Sequence, residues 1–420
     1  MNFFKTRVFL DRNYFAALVY GGFLLYIGVA AARQGLSHYY ADDAFRTGSN
    51  VGAVSAIYFQ PENPDAYKVQ GMLFLRNKDY NSAAESFEKA ISLRKNDFLL
   101  WLRLGYSRFK SGDINAARTA YREGLTLAPK YSQPNYYMGI MLFENGQYEQ
   151  AFRFLSKAAE YDPELYPEIL HRARITFPDD PLAIERSVQP ESIEAKKIVA
   201  RYLIEHDFMT DNLRAFLIAD ELSEQEKNEF IESLIEKQNF DVARQVWLSQ
   251  VNAGNARGNE LIFDGGFEKI TESDASGFGW RIDQRTSAIS VALDSSEFHS
   301  GSRGVLIKFA GNVELGRKLI SQLTYLQPNR KYQLKFFSRS MELISAGLPS
   351  IVITDGISNE TLGRSAAFES TDGKWVEAKV DFVTREAAVA VISLQRSNCN
   401  TSPCPIFGQL SLDDFSITEN

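Results

Sequence analysis

The side chains that most often carry enzyme chemistry are scarce in this sequence and widely separated. The run 301–304, Gly-Ser-Arg-Gly, lacks the spacing of a nucleophile elbow and precedes a strand pattern, so it indicates a hairpin turn. The four histidines lie in three different segments, and none begins a metal-binding or triad motif: His38, His171, His206 and His299. The sequence therefore predicts no catalytic residues and a protein that is not an enzyme.

The charged residues also exclude some classes of function. Asp413 and Asp414 are adjacent in a strand pattern, so their side chains point to opposite faces and cannot act on one substrate. The sequence contains no phosphate loop and no dinucleotide fingerprint. The formal net charge of −7 at pH 7 offers no basic surface for a phosphate backbone. We therefore do not expect nucleic acid as a partner.

The two cysteines, Cys399 and Cys404, are separated by Asn-Thr-Ser-Pro. In an oxidising compartment such a pair closes a small disulfide loop, whereas two unpaired thiols in a surface loop are the alternative. Two cysteines without a nearby histidine cannot form a zinc site. The disulfide interpretation requires export of the chain, so it depends on the N-terminus.

Residues 14–32 form an uncharged apolar run that could direct this export. At 1.5 Å per residue, the run has nearly the length that a hydrocarbon core of about 30 Å requires. Three basic residues in 1–13 favour a cytoplasmic N-terminus, with the rest of the chain outside. A cleaved signal peptide, and hence a secreted protein, is the alternative, because residues 30–32 are three alanines. We expect a single-pass protein of the inner (cytoplasmic) membrane with its bulk in the periplasm.

Small residues recur at a spacing of 34 positions in the next segment. Gly71, Gly105 and Gly139 form one such column. Four further columns have the same spacing: Ala83, Ala117 and Ala151; Phe87, Tyr121 and Leu155; Ala90, Gly124 and Ala158; and Lys95, Pro129 and Pro163. This period, with small residues placed opposite large ones, is typical of stacked helix pairs. Residues 64–165 are therefore predicted to form three helix-pair repeats.

Residues 64–165 resemble the tetratricopeptide repeat family, and the second unit carries the fullest motif. The matching residues are Trp101, Leu104, Gly105, Ala117, Tyr121 and Pro129, while Gln70, Lys95 and Arg108 depart from the family pattern. Residues 33–63 resemble a degenerate capping pair that continues from the membrane segment. Residues 166–251 are interpreted as an irregular join followed by degenerate helix pairs of the same type.

The resemblance implies a binding surface on the first helices of the repeats, which line a concave groove in this family. We call this set of positions the repeat surface, and it comprises Met72, Leu75, Arg76, Tyr106, Phe109, Lys110, Tyr136, Ile140 and Phe143. Apolar and aromatic side chains with basic neighbours suit a docked peptide or helix of a protein partner. The alternative is that other helices of the same chain cover this surface.

From about residue 259 the helical period gives way to alternation of period two. The pattern is present in 305–310, 332–337 and 376–382, and it predicts an antiparallel β-sandwich over 259–420. Residues 252–258, Asn-Ala-Gly-Asn-Ala-Arg-Gly, are the expected linker. The fold class is therefore multidomain, α then β: a transmembrane helix, an α-solenoid and a C-terminal jelly roll.

The order of motifs in 259–420 resembles carbohydrate-binding modules of the galactose-binding-like jelly-roll type. The residues concerned are Asn259 to Leu261, Gly266 to Glu268, Gly279, Trp280, His299 to Gly301, Trp375 and Leu412 to Phe415. The resemblance implies a structural calcium ion between Glu268 and Asp413, whose oxygens suit a hard cation. Ordinary surface carboxylates are the alternative, and no other cofactor is expected.

The same resemblance implies a sugar-binding face. Sugar binding requires an exposed aromatic ring together with polar groups for the hydroxyls. Gln333, Lys335, Phe337 and Arg339 share the outward face of one strand pattern, and Trp375 lies on the polar side of another. The alternative is that Trp375 packs inside the domain, since this fold class also contains domains that bind no sugar.

These observations predict a membrane-anchored periplasmic scaffold of a bacterial type. Its repeats would bind a protein partner and its sandwich would bind glycan, in the production or export of surface or exopolysaccharide. The alternative is an envelope scaffold for protein–protein interaction alone, with a sandwich that binds no sugar.

Overall fold

The order of elements follows the α-then-β prediction. The computed structural model describes residues 12–178, 180–251, 261–269, 277–283, 288–386, 388–396, 398–399 and 402–420. Within these ranges it contains 14 α-helices followed by two antiparallel sheets, which confirms the predicted fold class. The chain divides into two units, Met1–Val199 and Ala200–Asn420. The expected linker 252–258 and most of the N-terminal segment 1–13 lie outside the described residues.

The first helix, α1, extends over Arg12–Thr47 and is long enough to span a membrane with residues to spare. Its side chains are exposed from residue 15 to residue 36. Among the described residues it is the single helix whose length and composition would allow it to cross a membrane. The expected boundary at residue 32 is not a break, because the helix continues directly into the first helix pair with α2 (Asn50–Phe59).

Three helix pairs follow and confirm the 34-residue repeats. Asp79 and Asp113 accept hydrogen bonds from Ser82 N and Ala116 N, and so begin the second helix of two pairs. The helices are α3 (Pro64–Arg76), α4 (Tyr80–Leu93), α5 (Phe98–Lys110), α6 (Ile114–Leu127), α7 (Ser132–Glu144) and α8 (Tyr148–Tyr161).

The segment expected to be an irregular join is helical instead. After a short 3-10 turn (Pro163–Leu165), Pro167 and Pro181 lie in the first turns of two helices, where proline is compatible with the α-helix. The remaining helices are α9 (Tyr166–Thr176), α10 (Pro181–Val188), α11 (Ile193–Glu205), α12 (Asp211–Ile218), α13 (Glu224–Glu236) and α14 (Phe240–Val251). The prolines start helices here rather than interrupting them.

The C-terminal strands form two five-stranded antiparallel sheets, as the alternating patterns predict. The strands are β1 (Trp280–Ile282), β2 (Ile289–Asp294), β3 (Gly304–Asn312), β4 (Ile320–Tyr325), β5 (Lys331–Ser345), β6 (Pro349–Asp355), β7 (Thr361–Arg364), β8 (Val376–Val383), β9 (Val389–Arg396) and β10 (Pro405–Glu419). The strand orders in the two sheets are β1-β4-β9-β6-β7 and β2-β3-β10-β5-β8. Trp280, Phe336 and Phe415 are buried in the core that the domain encloses.

The last helix pair packs against the sandwich within the second unit. The indole of Trp247 on α14 lies 4.7 Å from the ring of Phe263 and 5.9 Å from that of Phe278, between ring centroids. Glu232 on α13 accepts hydrogen bonds from Gly277 N at 2.8 Å and from Arg281 at 2.8 and 2.9 Å. Helices α13 and α14 therefore share a compact unit with the sandwich.

Candidate functional surfaces

The nine residues of the repeat surface all lie on α3, α5 and α7, the first helices of the three pairs. Most are half-buried, whereas Arg76 is exposed. Lys110 Nζ donates to Glu144 Oε2 at 2.8 Å and lies 4.8 Å from the centre of the Phe109 ring. The hydrogen bond to Glu144 raises the pKa of Lys110. The structure thus joins a cation, an aromatic ring and an acid, and this acid was not part of the predicted set.

Helix α9 adds two charged residues to the end of this surface. Tyr136 OH donates to Glu168 Oε1 at 2.9 Å, and the Arg172 guanidinium lies 5.5 Å from the centre of the Phe143 ring. Burial and this hydrogen bond raise the pKa of Tyr136. Glu168 and Arg172 were not predicted, because the start of 166–251 was interpreted as an irregular join with no helix.

The predicted sugar-binding residues of β5 do lie on one face, since burial alternates along this strand. Each of them already has a partner in the chain. Gln333 Nε2 donates to Asp381 Oδ1 at 2.8 Å, Lys335 Nζ lies 2.6 Å from Glu377 Oε2, and Arg339 forms an ion pair with Glu297. The polar groups of this face are therefore engaged in pairs within the domain.

The aromatic members of the predicted set meet at His299, which was not among the predicted sugar-binding residues. The imidazole stacks on Phe337 with 3.7 Å between ring centroids, and its centroid lies 5.7 Å from that of Trp375, edge to face. His299 Nδ1 lies 2.6 Å from Asp414 Oδ2. One face of the Phe337 ring is therefore covered, which reduces the area available for stacking on a sugar ring.

A cleft of about 1270 Å³ lies beside this face at the ends of the β5, β6 and β8 strands. Its lining includes Lys331, Gln333, Asp355, Asp381 and Arg385. Of the predicted sugar-binding residues, Gln333 lines this cleft. The cleft combines charged and amide groups with aliphatic side chains, as ligand sites commonly do.

The proposed calcium ligands instead hold the turn at 299–303. Glu268 accepts hydrogen bonds from Ser302 N at 2.7 Å and Ser302 Oγ at 2.5 Å, and Asp413 Oδ2 accepts from the amides of His299 and Ser300 at 2.7 and 3.1 Å. The donors at Ser302 lower the pKa of Glu268, whereas burial raises the pKa of Asp413.

These donors face the positions that a cation would need. In the described ranges, no three His, Cys, Asp or Glu side chains group as a metal site. The arrangement around Glu268 and Asp413 therefore does not fit a calcium ion as it stands, because N–H and O–H groups point at the carboxylates. Calcium binding stays a prediction that follows from the resemblance alone.

Cys399 and Cys404 are joined by a disulfide, with 6.4 Å between their Cα atoms. Arg396 is fully buried beside this loop and donates to Gly347 O at 2.8 Å, Val313 O at 2.9 Å and Cys404 O at 3.1 Å. Burial lowers the pKa of its guanidinium. Backbone carbonyls thus take the place of a carboxylate partner for this cation.

The fold and these surfaces define a repeat scaffold that carries a β-sandwich. Family models of the tetratricopeptide repeat match residues 64–97 and 102–166. Residues 64–166 are therefore tetratricopeptide repeats. Over 85 residues the chain is 33% identical to the "Peroxisomal targeting signal receptor" of Candida albicans, a match that covers 20% of this chain and 14% of that protein. The chain thus spans about one seventh of the length of this relative.

Solved structures show partial similarity to the chain. MamA 41-end from Desulfovibrio magneticus RS-1 is 20% identical, with a TM-score of 0.33, and the match covers 37% of this chain and 92% of that chain. TmCBM61 in complex with beta-1,4-galactotriose is 19% identical, with a TM-score of 0.27, and the match covers 39% of this chain and 100% of that chain.

Proposed function

We propose that this protein is a membrane-anchored periplasmic scaffold whose repeats bind a protein partner and whose sandwich binds glycan. The process it would serve is the production or export of surface or exopolysaccharide. One observation carries the proposal: α1 continues without a break from its exposed apolar part into the first helix pair, so the repeats are attached directly to the anchor.

The repeat surface supports the protein-binding half of the proposal. It presents half-buried aromatic and aliphatic side chains next to Arg76 and Lys110, which suits an amphipathic segment with acidic residues. Tetratricopeptide repeats occur in a relative that is named as a receptor for a targeting signal. A peptide or helix of another envelope protein is the partner class that this surface fits.

A charge swap tests this surface. Lys110→Glu with Glu144→Lys keeps an ion pair between α5 and α7 but exchanges the positions of its charges. We expect a photo-crosslinking residue at Ile140 to capture one protein in native membranes and the swap to abolish this product. The control swap, Glu149→Arg with Arg153→Glu on α8, exchanges an exposed pair and should leave the product unchanged. Equal capture by both swaps would contradict the proposal.

The cleft at Gln333 and Asp381 supports the glycan-binding half. It offers amide, carboxylate and basic groups for hydroxyls next to the aliphatic side chains of Ile357 and Leu362. We expect the full-length protein to retain oligosaccharides on a glycan array and Gln333→Ala to reduce retention at least about tenfold, a loss typical of a central polar contact. Gln409→Ala, which changes an exposed glutamine on β10, is the matched control.

A protein-only scaffold is the second candidate function, and one observation favours it. Gln333, Lys335 and Arg339 have acidic partners within the domain, and His299 covers Phe337. In this case the array shows no glycan retained by the wild-type chain, while the crosslinked product at Ile140 persists. That combination would reject the glycan-binding half and keep the repeat scaffold.

A further inference from the structure

The exposed part of α1 ends abruptly at Ser37. Residues 15–36 are exposed on every side, and at 1.5 Å per residue they extend about 33 Å. Ser37 is the first buried side chain: its Oγ donates to Ala56 O at 2.7 Å and accepts from Asn63 Nδ2 at 2.9 Å. The exposed length therefore matches a hydrocarbon core with a short additional segment.

Helix α2 runs back along α1 toward the end of this exposed part. Arg33 Nε donates to Phe59 O at 3.0 Å, so the C-terminus of α2 lies level with Arg33. Gly52, near the other end of α2, packs against Ala44 and Tyr40. Asp42, the first acidic residue after the apolar run, lies nine positions beyond Arg33, about 14 Å along the helix.

The band between Arg33 and Asp42 exposes apolar and aromatic side chains beside the polar Gln34 and His38. Helix α2 contains no charged residue, and its outer face exposes Val54 by 58% and Tyr58 by 75%. On α1, Tyr39 is exposed by 66%. The aromatic rings of this band form a continuous chain, with centroid separations of 5.4, 5.5 and 5.6 Å between successive members: Tyr39, Tyr40, Phe59 and Tyr58.

In water this surface is unfavourable, because each exposed apolar side chain forgoes the free energy of burial. Tyrosine is enriched at the bilayer interface, where its ring contacts acyl chains and its hydroxyl meets water. The band is continuous with the apolar run of α1 and begins at Arg33, a side chain that can reach lipid phosphate. Glu62, which follows α2 at the end level with Arg33, is an exposed acidic residue at this edge of the band.

We propose that this juxtamembrane cluster, Tyr39, Tyr40, Val54, Tyr58 and Phe59, lies in the phospholipid headgroup layer. The first helix pair would then be seated on the lipid surface, and the tetratricopeptide repeats would begin at the bilayer. This inference rests on the proposed membrane anchor and adds to it a contact that an anchor alone does not require.

Spin labels on the full-length protein in vesicles of phosphatidylethanolamine and phosphatidylglycerol test the proposal. Both native cysteines are held in the disulfide, so an introduced cysteine is the reactive site. The labelled variants are Val54→Cys and Tyr58→Cys on α2, Leu24→Cys in the apolar run, and Ile175→Cys on α9. Ile175 is exposed by 64% and is the matched control.

We expect labels at positions 54 and 58 to show a severalfold higher ratio of oxygen to water-soluble nickel accessibility than the label at 175. Position 24 should show the highest ratio. If position 24 reports lipid but 54 and 58 match 175, the headgroup contact is wrong while the anchor stands. If position 24 also matches 175, the anchor itself is wrong. Dipolar broadening at 58, with low access for both agents, would show that a second copy covers the cluster, which also overturns the proposal.

Discussion

Glycines allow close packing in both the repeats and the sandwich, but the residues that pack on them lie at different distances along the sequence. A Cβ atom at Gly105 would lie 2.5 Å from the ring of Tyr121, which follows 16 positions later in the same repeat. A Cβ atom at Gly265 would lie 1.8 Å from the backbone oxygen of Phe415, at the other end of the domain. The first contact recurs every 34 residues, and the second occurs once. A local contact that recurs produces a periodic pattern that can be recognised in a single sequence. A long-range contact that occurs once produces no such pattern.

The largest expected effect comes from the long-range contact. Gly265→Ala places a methyl group against backbone that cannot rotate away, so we expect a loss of more than about 4 kcal/mol in the free energy of unfolding of the second unit. Urea denaturation followed by near-ultraviolet circular dichroism measures it. Gly311→Ala, whose Cβ would meet Ala288 Cβ at 3.6 Å, should change stability by less than about 1 kcal/mol. An equal loss of stability in Gly265→Ala and Gly311→Ala would show that the close approach of the Phe415 backbone to Gly265 is not what makes this position sensitive.

Arg396→Met should be the next most costly change. It leaves the carbonyls of Gly347, Val313 and Cys404 without their buried donor, and the expected loss is about 3–5 kcal/mol. The control is Arg330→Met, which removes an exposed ion pair with Glu419 and should cost less than about 1 kcal/mol. A loss for Arg396→Met as small as the control's would show that water reaches these carbonyls.

Gly105→Ala should cost less, because the obstacle is a side chain. The ring of Tyr121 can shift, and we expect a loss of about 1–3 kcal/mol, confined to the repeats. Gly35→Ala on α1, where a Cβ would meet nothing within 4 Å, is the control. Far-ultraviolet melting of the full-length chain measures both. A larger loss of stability for Gly105→Ala than for Gly265→Ala would contradict the expectation that a contact with backbone is more restrictive than one with a side chain.

The smallest effect concerns the turn at 299–303 and depends on pH. The pKa of Glu268 is lowered in the folded state, so its stabilising contribution is present above its ordinary value of 4.5 and is lost as the pH falls through the folded value. We expect Glu268→Gln to flatten the acid side of the melting temperature against pH. The pKa of Asp413 is raised in the folded state, so ionisation of this carboxyl group as the pH rises lowers the stability instead. An unchanged acid limb in the variant would show that Glu268 does not hold the turn.

The difference between local and long-range contacts explains how much of the fold could be predicted from the sequence. The 34-residue columns located α3 to α8 within a few residues, and the period-two patterns lie in β3, β5 and β8. The join at the start of 166–251 was wrongly expected to be irregular, because Pro167 and Pro181 lie in the first turns of helices, and such prolines look like loop prolines in one sequence.

The candidate sugar face was predicted only in part. The alternation of β5 placed Gln333, Lys335 and Phe337 together, since strand geometry is local. Their partners arrive from distant segments: His299 reaches Phe337 because Asp413 and Asp414 both hold its turn. These two carboxylates were expected on opposite faces, but the positive φ of Asp414 interrupts the alternation of the strand. Pairings of this kind depend on closure of the whole domain, which a local pattern does not encode.

Helices α13 and α14 lie in 166–251, a segment that was expected to form an irregular join and degenerate helix pairs of the same type as the repeats. In the structure Trp247 packs on Phe263 and Phe278, and a Cβ atom at Gly277 would lie 2.7 Å from its ring. Helices α13 and α14 therefore fold together with the sandwich.

Hydrogen exchange measured by mass spectrometry on full-length Trp247→Ala tests this claim most directly. Removing the buried indole should cost about 3–5 kcal/mol. We predict that α13, α14, β1 and β4 lose protection together by this amount, while α3 to α8 keep theirs. Loss of protection in α13 and α14 alone, with β1 and β4 unchanged, would contradict the account.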